Sequence, residues 1–354
     1  MRKLRLVLVA LATMAAMVYA GSAATPATPT APSEHQRIID FWTPARVAQA
    51  IPRDFVFDPG SQRFELKKPS NPGGGGGHSG GGGSGSTSGD TTGSSWTGGG
   101  TVANTTGKVL FEMDGSYWVC SASVVSDTKT DRSIVLTAGH CVYDETNEAF
   151  ATNWLFVPDY DASPASLTTD ESFCSQTEYG CWTADSLVVD EGFASAGGFN
   201  QQATLNDAGF AVVGLGGLEG NTELDSLGAQ NIAFTAIDPA TTPTTVWAFG
   251  YPAAKKYKGN DLVYCKGPLG TDPYNNDLTY QLACDMTGGS SGGPWFRDLN
   301  EKTGSGTVMS INSYGYTGIT AMFGPEFGSW TQTVYNNAED AVANTIVNVT
   351  VTAP

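Results

Sequence analysis

Thr287-Gly288-Gly289-Ser290-Ser291-Gly292-Gly293-Pro294-Trp295 sets a serine among small residues and closes the run with Gly-Gly-Pro. A nucleophilic serine needs a backbone that leaves its hydroxyl accessible. It also needs amide N–H groups aimed at the oxygen that becomes negative during attack. Glycine permits such a turn because it reaches backbone conformations that a Cβ forbids. A Gly/Ser surface turn has the same composition, and this chain has other Gly/Ser runs, so the reading depends on partners for Ser291.

The chain has three histidines. His35 lies in a charged segment and His78 in a glycine run, and neither is expected to be held in one place. His140 stands in Leu136-Thr137-Ala138-Gly139-His140-Cys141, directly after the apolar run Ser133-Ile134-Val135-Leu136 and directly before a cysteine. A general base for a serine must be an imidazole held in one orientation, and a strand end stapled by a disulfide supplies such a hold. Gly289-Ser290-Ser291-Gly292-Gly293 also satisfies the GxSxG elbow of lipases and esterases, but that fold places its histidine after the serine. No histidine follows Ser291. The subtilisin order would place the acid before His140, and that family's serine motif is absent. A histidine, then an acid, then the serine is the chymotrypsin order.

Thr137-Ala138-Gly139-His140-Cys141 together with Gly289-Ser290-Ser291-Gly292-Gly293-Pro294 resembles the chymotrypsin-like serine peptidases, and most closely their bacterial and fungal trypsin-like and glutamyl-endopeptidase-like branch. Cys120-Ser121-Ala122-Ser123-Val124-Val125 is similar to that family's strand bearing the partner of the cysteine beside the histidine, and Thr43-Pro44-Ala45-Arg46-Val47 resembles pro-segments of the branch. The likeness spans residues 105–345. It implies two antiparallel six-stranded β-barrels, an aspartate between His140 and Ser291, and peptide hydrolysis through an acyl-enzyme. Asn206-Asp207-Ala208-Gly209-Phe210 fits the acid best, with Asp185 and Asp190 as rivals. The acid would fix the imidazole tautomer. The N–H groups of Gly289 and Ser291 would bind the oxyanion.

The chain departs from trypsin in two places. Ser290 replaces the aspartate that precedes the nucleophile, and no Ile-Val-Gly-Gly start occurs near Gly100, so activation by a freed N-terminus is not expected. Asp285 stands at the offset of the trypsin pocket acid, but the adjoining cysteine is Cys284, whereas trypsin's would fall at Thr287. Asp285 and Met286 remain candidate pocket residues beside a structural role for the acid. Ser310-Ile311-Asn312-Ser313-Tyr314-Gly315 looks like the substrate-binding strand, with Asn312 where glutamyl enzymes carry histidine. A neutral amide can hydrogen-bond a carboxylate but gives it no charge partner. Asn312, Ser313, Tyr314 and Gly315 are therefore candidate substrate-binding residues, and primary specificity stays open.

The remainder of the chain frames this site. Met1-Arg2-Lys3-Leu4-Arg5, an apolar run and small residues predict a signal peptide over 1–23. Residues 24–72 hold too few apolar side chains for a core of their own and are expected to fold against the downstream domain as a pro-segment. Thr43-Pro44 predicts a short helix stopped by Pro52. Residues 73–100 read as a Gly/Ser-rich linker and 101–354 as the peptidase domain. Short β-branched and aromatic runs separated by turn signals predict an all-β domain, with a C-terminal helix over 333–343 presenting Val334, Ala338, Ala341 and Val342. In an exported chain the six cysteines predict disulfides. Family position implies Cys120–Cys141, while proximity and elimination suggest Cys174–Cys181 and Cys265–Cys284. Neither a metal nor a cofactor is expected, because the cysteines form no CxxC pair. With 18 basic against 35 acidic residues the net charge is −17, which argues against nucleic acid. The expected protein is a secreted monomer, not a membrane protein, that acts on polypeptides. The competing reading is a catalytically inactive relative used for binding or adhesion.

Overall fold

Six runs rich in β-branched and aromatic residues close a ring in the first half of the computed structural model, which describes residues 33–67, 92–163, 166–253 and 256–349. The segment 1–23, expected to be a signal peptide, and the glycine run that holds His78 lie outside the described residues. The strand Thr106–Met113 pairs with Ser116–Val125, which pairs with Ser133–Thr137. That strand meets Gly209–Val213, which meets Trp182–Asp190, and Thr152–Pro158 closes the circuit back to the first strand. All six pairings are antiparallel, so this barrel has no open edge among its own strands. Val109, Phe111, Val124, Val135, Phe156 and Ala211 share one face around the ring and are buried in its core.

Gly209–Val213 is buried along its whole length. Its outer face is covered by the helix Ser329–Asp340, where the Tyr335 ring meets that of Phe210 edge-on at 5.7 Å. This helix starts four residues before the predicted position and stops three before its end. Val334 and Ala338 are buried as expected, but Ala341 is only the C-cap residue and Val342 is exposed. The Gly328 N–H donates to Thr331 Oγ1 at 3.4 Å, a start signal made by a glycine and a threonine that apolar spacing does not register.

The second half forms two facing sheets. One runs Asn231–Ile232, Ser305–Ile311, Pro294–Asn300, Thr245–Gly250 and Val263–Pro268. The other runs Gly270–Thr271, Thr279–Leu282, Met322–Pro325 and Tyr314–Tyr316. Ser310 Oγ donates to the Pro325 carbonyl at 2.8 Å and Ser313 N–H to that of Phe323 at 2.9 Å, tying the sheets at one corner. Cys265–Cys284 ties them at another. Val246, Val263, Leu282, Met286, Trp295 and Met309 pack between them.

The first described residues after the glycine run are already part of this half. Ser94–Ser95 pairs with Val263 and Tyr264, and Trp96 is buried against Phe249 and Tyr264. The stretch 94–96, read from composition as part of the linker, therefore docks on this half, because one tryptophan inside the Gly/Ser run has enough apolar surface to do so.

Residues 33–67 form an arm across both halves. Ser33 caps the helix Glu34–Phe41, which composition did not announce, and Thr43 caps the expected short helix Pro44–Val47. Ile38, Trp42 and Phe55 enter the barrel's core cluster, and Trp42 Nε1 donates to the Asn153 carbonyl at 2.6 Å. His35 is held after all, its Nδ1 2.9 Å from Thr183 Oγ1. Pro52 does not simply stop a helix: Ile51–Pro52 lies parallel to Trp118 and Val119. Phe55–Asp58 then lies parallel to Tyr314–Tyr316 and turns back through Arg63–Leu66.

Candidate active site

His140 and Asp207 meet because their strands do. Ser133–Thr137 and Gly209–Val213 pair with Thr137 opposite Gly209, so the turn after one strand faces the residues before the other. Asp207 Oδ1 accepts from the backbone N–H of His140 at 2.8 Å, and Oδ2 lies 2.8 Å from His140 Nδ1. Ser313 Oγ donates to the same Oδ2 at 2.5 Å. The carboxylate thus has three donors and the imidazole one orientation. Gly139 makes the approach possible, since a Cβ there would come within 3.1 Å of Asp207 Oδ1 and 3.2 Å of the Phe193 ring. Among the described residues, His140 Nε2 is buried and has no hydrogen-bond partner.

The rival acids are engaged elsewhere. Asp190 caps the helix Glu191–Ala194, with Oδ1 accepting from Gly192 N–H at 2.7 Å, and its burial pushes its pKa up to about 6. Asp185 interacts with His35 and Arg132.

The Ser291 loop is tied on its inner side. Ser290 N–H and Oγ both donate to the Thr287 carbonyl, at 3.2 and 2.8 Å, so Ser290 closes a turn where trypsin would seat an ion pair. Ser121 Oγ donates to the Gly289 carbonyl at 2.8 Å, and Ser121 N–H to that of Ser291 at 2.7 Å. Ser121, quoted above only as part of a strand motif, is a support of this loop. Gly292 has φ +82° and sits where a Cβ would lie 2.1 Å from Thr137 Oγ1, so no other residue fits. With its carbonyl turned inward, Gly289 adopts φ +99°. Among the described residues the N–H groups of Gly289 and Ser291 donate to no partner. Two free backbone donors in one loop suit an anionic oxygen.

The candidate specificity residues divide. Asp285 accepts from Gly93 N–H at 2.8 Å and from Lys256 and Tyr257. Burial alone would raise its pKa, but these hydrogen bonds outweigh burial and hold it below the ordinary value. Met286 packs in the core between the two sheets. Asn312 Oδ1 accepts from Trp295 Nε1 at 2.7 Å, while its Nδ2 donates to the carbonyls of Phe249 at 2.7 Å and Ser290 at 3.0 Å. Both amide protons are spent, so Asn312 braces the Ser291 loop and has no donor left for a carboxylate. Tyr314 is oriented by bonds to Asp272 Oδ2 and Thr279 Oγ1, both 2.7 Å. A Cβ on Gly315 would meet nothing closer than 4.0 Å, although the edge of its strand is paired with Val56 of the arm.

Sequence reading gave no role to Phe199 or Phe55. Phe199 stacks on Phe55 with centroids 4.1 Å apart, and both rings stand edge-on to the His140 ring, at 5.6 and 5.4 Å. Phe199 follows two glycines and precedes Asn200, and neither periodicity nor motif marks it.

The disulfides are Cys120–Cys141, Cys174–Cys181 and Cys265–Cys284. Among the described residues, Cys120, His140 and Cys141 are the only group of metal-ligand atoms close enough to share an ion. Both of its sulfurs are consumed in a disulfide. No helix among the described residues is long and apolar enough to cross a membrane.

Comparison with known proteins agrees with this geometry. The trypsin-like peptidase domain matches residues 120–304, about half of the chain. The crystal structure of protease Anisep from Arthrobacter nicotinovorans is 36% identical with a TM-score of 0.55, over 68% of this chain and 97% of that one. A thermostable serine protease, AL20, from an extremophilic microorganism is 34% identical with a TM-score of 0.55, over 68% of this chain and 99% of that one. No match was found among curated proteins. A closed six-stranded barrel followed by a second β half, with a histidine from the first and a serine loop in the second, is the chymotrypsin-like arrangement, and the chain belongs to the trypsin-like serine peptidases.

Proposed function

We propose that this chain is a secreted serine endopeptidase in which His140, Asp207 and Ser291 act as a triad. Ser291 Oγ attacks a peptide carbonyl while His140 Nε2 takes its proton and then passes it to the departing amine. Asp207 holds the Nδ1–H tautomer and stabilises the imidazolium. The N–H groups of Gly289 and Ser291 receive the oxyanion, where one lost donor typically costs about 10²–10³ in rate. The observation that carries this reading is the Asp207 carboxylate, which bonds both the backbone and the ring of His140 and leaves Nε2 without a partner.

The acyl half of the substrate would lie along Ser313–Tyr316. The leaving half would depart past Trp118 and Val119. With Asp285 paired to Lys256 and Asn312 saturated, neither supplies a free charge partner to a substrate side chain. Residues 1–23 would direct export, and three disulfides suit an oxidising compartment. Residues 24–72 would be a pro-segment, removed by cleavage ahead of the paired residues Ser94–Ser95.

Ser291→Ala tests the reading. Hydrolysis of casein and labelling by a fluorophosphonate should both disappear while the melting temperature stays within a few degrees of the parent. Residual casein hydrolysis at the parental rate would sink the assignment.

A further inference from the structure

The arm reaches the site from the rim opposite the one that an acyl chain would use, and its direction follows from two ladders. Ile51–Pro52 lies parallel to Trp118 and Val119, and Arg53 N–H donates to the Val119 carbonyl at 3.4 Å. Three residues later Phe55, Val56 and Phe57 pair in parallel with Tyr314, Gly315 and Tyr316. Between the ladders the chain crosses the serine loop, where a Cβ on Gly288 would come within 2.9 Å of Pro52 Cβ and 2.8 Å of Asp54 Cβ. Phe55 covers the edge of His140, and Ser291 is only 2% exposed.

We infer that residues 33–67 are an intramolecular inhibitor that fills the substrate cleft with its chain direction reversed, anchored by Arg53 between two buried carboxylates. This rests on the peptidase reading above. A strand edge offers one row of N–H and C=O groups, so a substrate cannot add to Tyr314–Tyr316 while Phe55–Phe57 occupies it. On that reading a substrate runs from the Tyr314–Tyr316 edge toward Trp118–Val119. The arm runs from Trp118–Val119 toward Tyr314–Tyr316. Reversal exchanges the places of amide nitrogen and carbonyl carbon. No peptide group then presents its carbonyl to Ser291 with its nitrogen toward His140, and attack needs both. The arm blocks the site without being cut there.

The anchor is chemical as well as steric. Arg53 is 4% exposed, and its Nη2 lies 3.7 Å from both Asp144 Oδ1 and Glu145 Oε2. Its guanidinium faces the Phe55 ring at 5.1 Å and that of Trp118 at 5.9 Å. Both acids are buried and follow His140 by four and five residues. Reversing the charge of Arg53 would bury three acids together, which strongly disfavours the docked arm. The covalent link between arm and domain keeps docking intramolecular, so blockage does not depend on protein concentration until that link is cut.

The test follows fluorophosphonate labelling of Ser291 in the full chain. Labelling should be slow in the parent and about tenfold or more faster in the Arg53→Glu, Phe55→Ala double variant, because docking of the arm sets the fraction of open sites. A second form keeps the arm native: a recognition sequence for a specific protease is placed within residues 73–91 and cut. Peptide hydrolysis should then rise on dilution, with residues 33–67 still intact by mass spectrometry. Equally fast labelling of the uncut parent, or hydrolysis independent of dilution, would overturn the inhibitor. Self-cleavage between residues 52 and 57 would overturn the reversed direction. No labelling of any form, including the cut and diluted chain, would overturn the reading of the site on which the inference rests.

Discussion

The family resemblance makes both Asp207 and Asp285 candidates for the site, and the fold treats them differently. Asp207 is fully buried with its three donors on His140 and Ser313. Asp285 has a side chain 27% exposed, paired to Lys256 and bonded to Tyr257 and to the backbone of Gly93, just before the Ser94–Ser95 strand. One carboxylate orients an imidazole, whereas the other pins the start of the domain to the serine loop's flank. Spacing along the chain locates an acid, but its donors decide what it does.

Three substitutions sharpen that contrast. Asp207→Asn should have the largest effect. An amide can turn an N–H toward Nδ1 and favour the wrong tautomer, so kcat for peptide hydrolysis should fall about 10⁴-fold with KM little changed. A loss under tenfold would mean that another acid serves His140.

Asp190→Asn comes next and should act on stability. Burial raises the Asp190 pKa from 3.8 to about 6. A raised folded pKa means that the fold holds the proton more tightly than the unfolded chain does, so stability is lost as pH rises through that window. Asparagine does not titrate and still caps a helix. Denaturant unfolding should show the variant gaining on the parent between those pH values, by on the order of 2 kcal/mol. A parallel pH profile for both proteins would remove Asp190 from this account.

Asp285→Asn should do least. Its depressed pKa gives stability present above the ordinary aspartate range and lost as pH falls through the folded value. Because the Lys256 pair is partly solvated, neutral-pH stability should drop by only about 0–1 kcal/mol. A peptide-library profile should keep its ranking of residues at the cleaved bond. If preference for Arg and Lys collapsed instead, Asp285 would be a pocket acid after all.

Much of the site was legible because its chemistry depends on residue type at fixed neighbours. A histidine between an apolar strand and a cysteine, and a serine among glycines that no Cβ could replace, carry their reasons locally. Asp207 needed the family likeness, and its role became geometric only when Thr137 paired with Gly209. Asn312, a candidate for substrate contact, proved saturated by Trp295, Phe249 and Ser290. Its neighbour Ser313 turned out to bond Asp207. Both lie in the link between Ser305–Ile311 and Tyr314–Tyr316, and chain order does not say which of two adjacent side chains turns to the loop and which to the acid.

By itself, the sequence determined the family motifs, the β character and the shortage of apolar side chains in residues 24–72, since each follows from composition or short-range spacing, whereas the pairing of the cysteines needed the fold. The tertiary structure alone decided where Trp96 docks, which acid reaches His140, and that the arm runs from Trp118 toward Tyr314. Those outcomes depend on contacts between residues roughly 65 to 260 positions apart, whose register is set by closing the barrel and filling strand edges. No local signal in the chain carries that information.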